Sequence, residues 1–543
     1  MDGEVETVGV TAAKRLYPLL IGQTLAIVFT ALVLITVARL LTPGPYGLYS
    51  FAFGYQAFID GVSAWGIGIY LARELSTHSY KKDFDSIIST IMSGFALVIP
   101  LAIILTVIGV ALSGYVANAW FPGVGVSQFS LQAVSLITFF IVLQGSTNQA
   151  LIGLKKSSYY AFSSVLTDIM QLLFVIILLE NGYGVNGAII GMLLGLAIGT
   201  MISVYFLYIA ISKYGKFRFE MPTRKGIMGA WNFSLPIAAN NFLNNGMQNF
   251  GILLLGLFVA TSMIGNYGAA LKGLSLLALV YGTVSAVQIP TFSDVTQATK
   301  TEKLNNTYNK VILYSLLVTV PILVYITVFS APGLYLMVSG AYATAPLFLS
   351  LIAIGSLLNL FGVYVGQLLI SKGHTKAVLM YNLYSTVIEA LALVVLVYIM
   401  PGDQLKVVGA IIASFFMGNI AMTFFFVRGA KRLFMIRFEY ARMARLYTAG
   451  IILGILLLLW YVTSGFLAGA IGSIALAVLQ LLVGAVLTAV LFPILLALMK
   501  VISKEDVQNI KKITKNMYGV GRVSELILEY ASHFVRLEDV PSA

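Results

Sequence analysis

Six carboxamides crowd one short stretch of an otherwise apolar run: Asn240, Asn241, Asn244, Asn245, Gln248 and Asn249. On a helix turning about 100° per residue they occupy one half of the circumference, and Phe242, Leu243, Gly246, Met247 and Phe250 fill the other. Carboxamides both donate and accept hydrogen bonds, which suits sugar hydroxyls without being specific to them. Polar groups inside a hydrocarbon layer face protein or water rather than lipid. The spacing therefore predicts either the wall of a hydrated cavity or a polar seam between helices, and six amides exceed what one helix contact would satisfy.

Other polar residues interrupt apolar runs singly. Gln144 and Asn148 stand one turn apart and join the amides as cavity candidates. Lys272 and Arg39 are the candidate cations. A lysine in a cavity would attract a phosphate, whereas one near a helix end reaches out to the interface; both readings apply to Lys272. Arg39 reads more readily as interfacial. Asp60, Asp168 and Glu389 are candidate carriers of a coupling proton or sodium ion, or else paired or neutral structural carboxyls. Arg73 and Glu74 read as a local ion pair. His78, His374 and His533 fall in loops or the tail, and the chain has no cysteine, so no metal centre is expected. There is no Walker lysine motif and no long outer loop that could house glycosyl transfer. A transporter is expected rather than an enzyme, with no cofactor beyond a coupling ion.

These residues need membrane-spanning helices to position them. Of 543 residues, 59% are hydrophobic and 10% charged, and the mean hydropathy is +0.94. A water-soluble surface carries roughly a quarter charged residues. Long apolar runs without alternation argue for helices of about 20 residues rather than a β-barrel. Spans are expected at 17–38, 46–71, 87–112, 129–152, 159–180, 185–211, 228–258, 263–288, 311–331, 344–370, 377–400, 405–427, 446–463 and 469–499, which makes about fourteen transmembrane helices in an all-α integral membrane protein. The first run is too long for a signal peptide. With both termini inside, every lysine and arginine of the 33 falls on the inner side except Arg39, Lys272 and Lys406, as the positive-inside rule requires. The net charge of +12 is thereby read as orienting charge on cytoplasmic loops, not as a nucleic-acid surface.

Two basic loops, Lys213 to Lys225 and Arg428 to Arg445, divide the array. The expected organisation is a six-helix lobe at 1–212, a second at 213–428, two additional helices within 429–499 and a cytoplasmic tail at 500–543. A weak internal repeat supports two related lobes around a central cavity: Pro18 corresponds to Pro236, and Tyr46-Gly47 to Tyr267-Gly268, at offsets of 218 and 221 residues. Lobes of six helices each would be related by an axis along the membrane normal. Gly187, Gly191, Gly195 and Gly199 form a ridge at four-residue spacing that predicts close helix packing. In the tail Val507, Ile510, Ile513 and Met517 repeat at helical spacing among lysines, as an amphipathic helix on a membrane would.

Several segments, in order along the whole chain, resemble the polysaccharide or oligosaccharide-lipid flippases of the multidrug/oligosaccharidyl-lipid/polysaccharide superfamily. They are Ala38-Arg39-Leu40-Leu41-Thr42-Pro43-Gly44-Pro45-Tyr46-Gly47-Leu48-Tyr49, Gly66-Ile67-Gly68 with Leu71-Ala72-Arg73-Glu74, Phe233-Ser234-Leu235-Pro236, Gly265-Asn266-Tyr267-Gly268, Ser339-Gly340-Ala341-Tyr342, Ser371-Lys372-Gly373-His374-Thr375-Lys376 and Ser503-Lys504-Glu505-Asp506. The resemblance implies a plasma-membrane flippase that passes a polyprenyl-linked oligosaccharide from the inner to the outer leaflet by rocking of the two lobes, with membrane lipids and cytoplasmic glycosyltransferases as its surroundings. The chain departs from the pattern where relatives carry acids: Ala64-Trp65 precede the Gly-x-Gly, and Asn249 stands where relatives have an Asp. Both departures bring acidic cation coupling at those positions into question. Two other expectations compete: a drug or organic-cation antiporter, which would want an acidic, aromatic cavity, and a non-transporting membrane scaffold.

Overall fold

A computed structural model describes residues 25–26, 28–63, 66–81, 83–215, 220–243, 247–275, 301–371, 374–399, 403–469, 471–503 and 506. Every regular element among them is helical. Among the described residues ten helices are long and apolar enough to cross a membrane: those at Phe84–Trp120, Gln128–Gly153, Ser157–Glu180, Gly184–Ser212, Tyr308–Val328, Ala345–Ile370, Thr375–Ile399, Gln404–Phe434, Tyr440–Leu467 and Ser473–Leu498. Large apolar side chains such as Val107, Leu391, Leu459 and Leu482 are exposed on their outer surfaces. Water would not tolerate so much exposed apolar surface, and a bilayer requires it. The protein is an all-α, multi-pass membrane protein.

The chain divides into two units, Met1–Ala269 with Val397–Ile411, and Ala270–Leu396 with Ile412–Ala543. The first unit contains α1 (Val28–Leu40), α2 (Pro43–Ser63), α3 (Ile67–Lys81), α4 (Phe84–Tyr115), α5 (Gln128–Gly153), α6 (Ser157–Glu180), α7 (Gly184–Ser212), α8 (Arg224–Asn241), α9 (Met247–Phe258) and the start of α10 (Thr261–Ser275). Short polar residues begin several of these helices. Asp83, Ser127 and Thr223 each accept the backbone N–H three residues on, satisfying donors that the helix start leaves open. One core of this unit gathers Leu71, Leu75, Ile87, Leu151 and Ala210.

The glycine ridge does what its spacing predicts. A Cβ added at Gly191, Gly195 or Gly199 would lie 2.7 Å from Val175 N, 2.4 Å from Gln171 N and 2.0 Å from Thr167 Oγ1. Only hydrogen atoms at these positions let α7 lie along α6. Lipid provides no hydrophobic force between helices, so such close packing carries the association.

A second close contact joins α2 to α10. A Cβ at Gly47 would sit 1.8 Å from the Thr261 carbonyl oxygen, and one at Gly265 would sit 2.0 Å from the Pro43 carbonyl oxygen. The contact is reciprocal. Adding 218 residues to Pro43 and Gly47 gives Thr261 and Gly265, the same offset that relates Pro18 to Pro236.

One expected span has a different form. The span at 46–71 is replaced by two helices, α2 and α3, with a bend at Gly66 before α3. Within the expected span at 228–258 stand α8, a wider π-type turn at 242–243 and α9, and residues 244–246 lie outside the described residues.

The second unit contains the rest of α10, then α11 (Thr301–Val328), α12 (Ser330–Val338), α13 (Ala345–Ser371), most of α14 (Thr375–Ile399) and of α15 (Gln404–Phe434), α16 (Tyr440–Ser464) and α17 (Ser473–Leu498). Its core includes Leu316, Phe329, Tyr364, Leu453 and Phe492. The short α12 follows α11 after Phe329 and was not expected as a separate helix.

At the basic end of this unit the chain after α17 folds back. The Asp506 carboxylate accepts from Ser503 N at 2.9 Å, from Ser503 Oγ at 2.6 Å and from Tyr314 OH at 2.9 Å, and it pairs with Arg442. Asp506 N donates to Ser503 Oγ at 3.2 Å, closing a reciprocal capping box. Arg442 Nε also donates to the Val501 carbonyl at 2.7 Å. The box opens the tail at its first turn; the amphipathic pattern from Val507 to Met517 lies outside the described residues.

Candidate transport site

The amide-rich stretch straddles α8 and α9. Asn244 and Asn245 lie outside the described residues, as do the side chains of Asn240, Asn241 and Gln248. Asn249 is half-buried at the start of α9. The opposite half of the helical wheel is visible. Phe242 and Phe250 both meet Phe58 of α2, with ring centroids 6.0 and 5.6 Å apart. Thus the apolar side turns toward α2. Below the amides, Ile237 packs against Gly66, where a Cβ would lie 2.7 Å from Ile237 Cβ. Arg73 of α3 stacks 5.3 Å above the Phe233 ring and lies 3.8 Å from Glu74, the expected ion pair.

The remaining candidates in the first unit are drawn into helix-to-helix contacts. Gln144 Nε2 donates to Thr167 Oγ1 at 2.7 Å, and Thr167 in turn donates to the Ser163 carbonyl at 2.7 Å. One turn away, Ser163 Oγ lies 3.4 Å from Asn148 Oδ1. These two carboxamides bridge α5 to α6. Asp168, the neighbour of Thr167, accepts from Thr30 Oγ1 of α1 at 3.2 Å. Asp60 accepts from Gln56, one turn earlier on α2. Arg39 is exposed at the end of α1.

In the second unit Lys272 is exposed on α10. Glu389 lies in α14 against α15: a Cβ at Gly418 would be 2.8 Å from both Glu389 Cβ and Oε2. The glycine admits the carboxyl to the helix backbone. The adjacent residue, Asn419, accepts from Asn359 Nδ2 at 3.1 Å, and Asn359 Oδ1 accepts from Thr423 Oγ1 at 3.1 Å. Asn419 Nδ2 has no acceptor among the described residues. This buried Asn359–Asn419–Thr423 group was not singled out from the sequence, although the signal was present. Both asparagines interrupt apolar runs, as the amides at 240–249 do.

A family model described as polysaccharide biosynthesis protein matches residues 36–346, more than half of the chain. The chain belongs to the polysaccharide biosynthesis protein family. This is the group that its turns resemble, and α16 and α17 lie beyond the matched residues. No curated protein matches it in sequence. Among solved structures, the family member is similar to an inward-facing multidrug resistance MATE family transporter of the MOP superfamily, at 17% identity and a TM-score of 0.64, covering 75% of this chain and 94% of that one. It is also similar to the lipid II flippase MurJ in an inward closed conformation, at 14% identity and a TM-score of 0.63, covering 88% and 98%. A third is a MOP superfamily transporter from Pyrococcus furiosus, at 17% identity and a TM-score of 0.55, covering 77% and 94%. At these identities the likeness establishes the fold of this polysaccharide biosynthesis protein.

Proposed function

We propose that the protein is a flippase that moves a polyprenyl-(pyro)phosphate-linked oligosaccharide from the cytoplasmic to the outer leaflet of the plasma membrane. Membership of a polysaccharide biosynthesis family, in a chain built as a multi-pass transporter fold, carries this reading. The head group crosses in a hydrated cavity whose neutral amides, Asn240 to Asn249, bind sugar hydroxyls, while Lys272 meets the phosphate. The lipid tail stays in the bilayer. Two six-helix lobes, 1–212 and 213–428, rock to expose the cavity to either side. Asp60, Asp168 and Glu389 are the carboxylates available for a coupling proton or sodium ion. Both termini are cytoplasmic, where glycosyltransferases would deliver the substrate.

The likeness to multidrug transporters favours a second reading, a drug or organic-cation antiporter. The amide-dominated polar inventory ranks it below the first, because a cation exporter needs acidic walls.

The test is a flipping assay in proteoliposomes with a short-chain fluorescent polyprenyl-pyrophosphate sugar in both leaflets, beside empty vesicles. Wild-type protein is expected to exchange the lipid faster than empty vesicles. Lys272→Ala and the pair Asn244→Leu/Gln248→Leu are expected to lose most of that acceleration while remaining folded. Normal flipping by these variants would remove the site assignment. No acceleration by folded wild-type protein with several such lipids would turn the reading to drug export.

A further inference from the structure

A pocket of about 360 Å3 opens in the second unit at the end away from the Arg442–Asp506 clasp. That volume is within the range of small-molecule sites, roughly 300–1,000 Å3. Its walls come from α12, the turn into α13, the end of α16 and the start of α17. Tyr335 and Tyr461 supply rings, and Ser339, Ser473 and Gln480 supply uncharged hydrogen-bonding groups. The Tyr335 hydroxyl and Ser473 Oγ lie 2.8 Å apart and join α12 to α17 across the pocket. Gln480 is buried, and its Nε2 donates to Ser464 Oγ at 3.0 Å, which fixes the side chain between α16 and α17. Its amide oxygen accepts from no protein donor among the described residues.

Two features mark this as a built site. The first is backbone strain. Ser339 sits at φ 91° and ψ 167°, a region that only glycine enters readily, and its N–H is held by the Tyr335 carbonyl at 3.2 Å. Residues held in such conformations concentrate at ligand clamps. Ser339 also opens the Ser339-Gly340-Ala341-Tyr342 motif, which the transport path does not use. The second is charge. No residue from 311 to 371 or from 446 to 499 is charged, and both walls of the pocket come from these two segments. An ionised head group would find no counter-charge there, and burying it unpaired is costly. Aromatic faces beside neutral donors and acceptors suit a neutral polyol.

We propose that this pocket binds the neutral sugar portion of a glycan at a site separate from the amide-lined path. The choice of a glycan over another neutral polyol rests on the flippase reading above.

The test uses the full chain in lipid nanodiscs prepared without glycoside detergents, which carry the same chemistry as the ligand. Saturation-transfer NMR is recorded with free neutral disaccharides, a uronic-acid disaccharide and glycerophosphocholine. Saturable binding of at least one neutral disaccharide is expected. It should weaken roughly tenfold in Ala477→Phe, which fills the pocket, and measurably in Tyr335→Phe, which removes one hydroxyl. All variants are made in an Asn244→Leu/Gln248→Leu background, so that the amide-lined path does not contribute to the signal. If Ala477→Phe does not fold, Gln480→Leu replaces it, and loss of the amide should weaken binding severalfold. Absence of any neutral-disaccharide signal, binding that survives the pocket variants, or preferred binding of glycerophosphocholine overturns the inference. Flipping measured on the wild-type chain separates the two readings: flipping without pocket binding removes this site alone, and pocket binding without flipping removes the flippase reading alone.

Discussion

The Asp506 carboxylate is out of contact with water and accepts hydrogen bonds from Ser503 and Tyr314 while facing Arg442. Burial alone would raise its pKa; the hydrogen bonds of Ser503 and Tyr314 and the Arg442 charge outweigh burial and hold it below the usual carboxylate range. The folded protein therefore binds this proton less readily than the unfolded chain does. Its stabilisation is complete above the unfolded value, about 3.9, and is lost as pH falls through the lower folded value. Asp506→Ala should destabilise by about 1–3 kcal/mol, because Arg442 then keeps only the more exposed Glu439 carboxylate, 3.4 Å away, as counter-charge and Tyr314 loses its acceptor. Thermal unfolding in detergent should show a constant gap between wild type and variant from about pH 8 to pH 5, narrowing only in stronger acid. A gap that closed near neutrality would contradict the clasp. None of this was legible in the sequence beyond the Ser503-Lys504-Glu505-Asp506 motif, since Arg442 is 64 residues away and no periodicity links the two. The same holds for Gln144: its polarity stood out in an apolar run, but its partner Thr167 is set by which helix lies alongside.

Helices were more legible than side-chain partners. A run of about 20 apolar residues has few alternatives in a bilayer, so the ten spanning helices found among the described residues fall where hydropathy expects them. The break at α2–α3 was less legible, because hydropathy averages over it. The glycine ridge of α7 was read correctly from spacing alone, and it makes a sharp prediction. Gly195→Ala brings a methyl group to 2.4 Å from Gln171 N, a backbone atom that cannot move aside. It should cost at least about 1–3 kcal/mol and reduce the yield of folded protein. Gly145→Ala, which meets nothing within 4 Å, is the matched control and should be near neutral. Equal yields of the two variants in fluorescence-detected size exclusion would show that the α6–α7 contact is not what holds these helices.

At the scale of the whole molecule, orientation follows from where the basic residues stand, and the chain's lack of cysteine makes it directly measurable. Ser473→Cys, at the pocket end of the second unit, should react with an impermeant thiol reagent in intact cells. Met435→Cys, in the basic turn between α15 and α16, should react only after permeabilisation. The reverse pattern would invert the topology. The α6–α7 seam has a mechanical consequence. Two helices meshed at Gly191, Gly195 and Gly199 resist sliding and bending as one beam, so they can transmit a displacement from one side of the membrane to the other but cannot absorb it. Compliance has to lie in helices whose hydrogen-bond ladder is interrupted, and α4, α8, α11 and α17 each carry an internal proline, at Pro100, Pro236, Pro321 and Pro493. The molecule is thereby divided into stiff struts and jointed ones, and Pro100→Ala or Pro321→Ala should stiffen the machine without touching anything that meets its cargo.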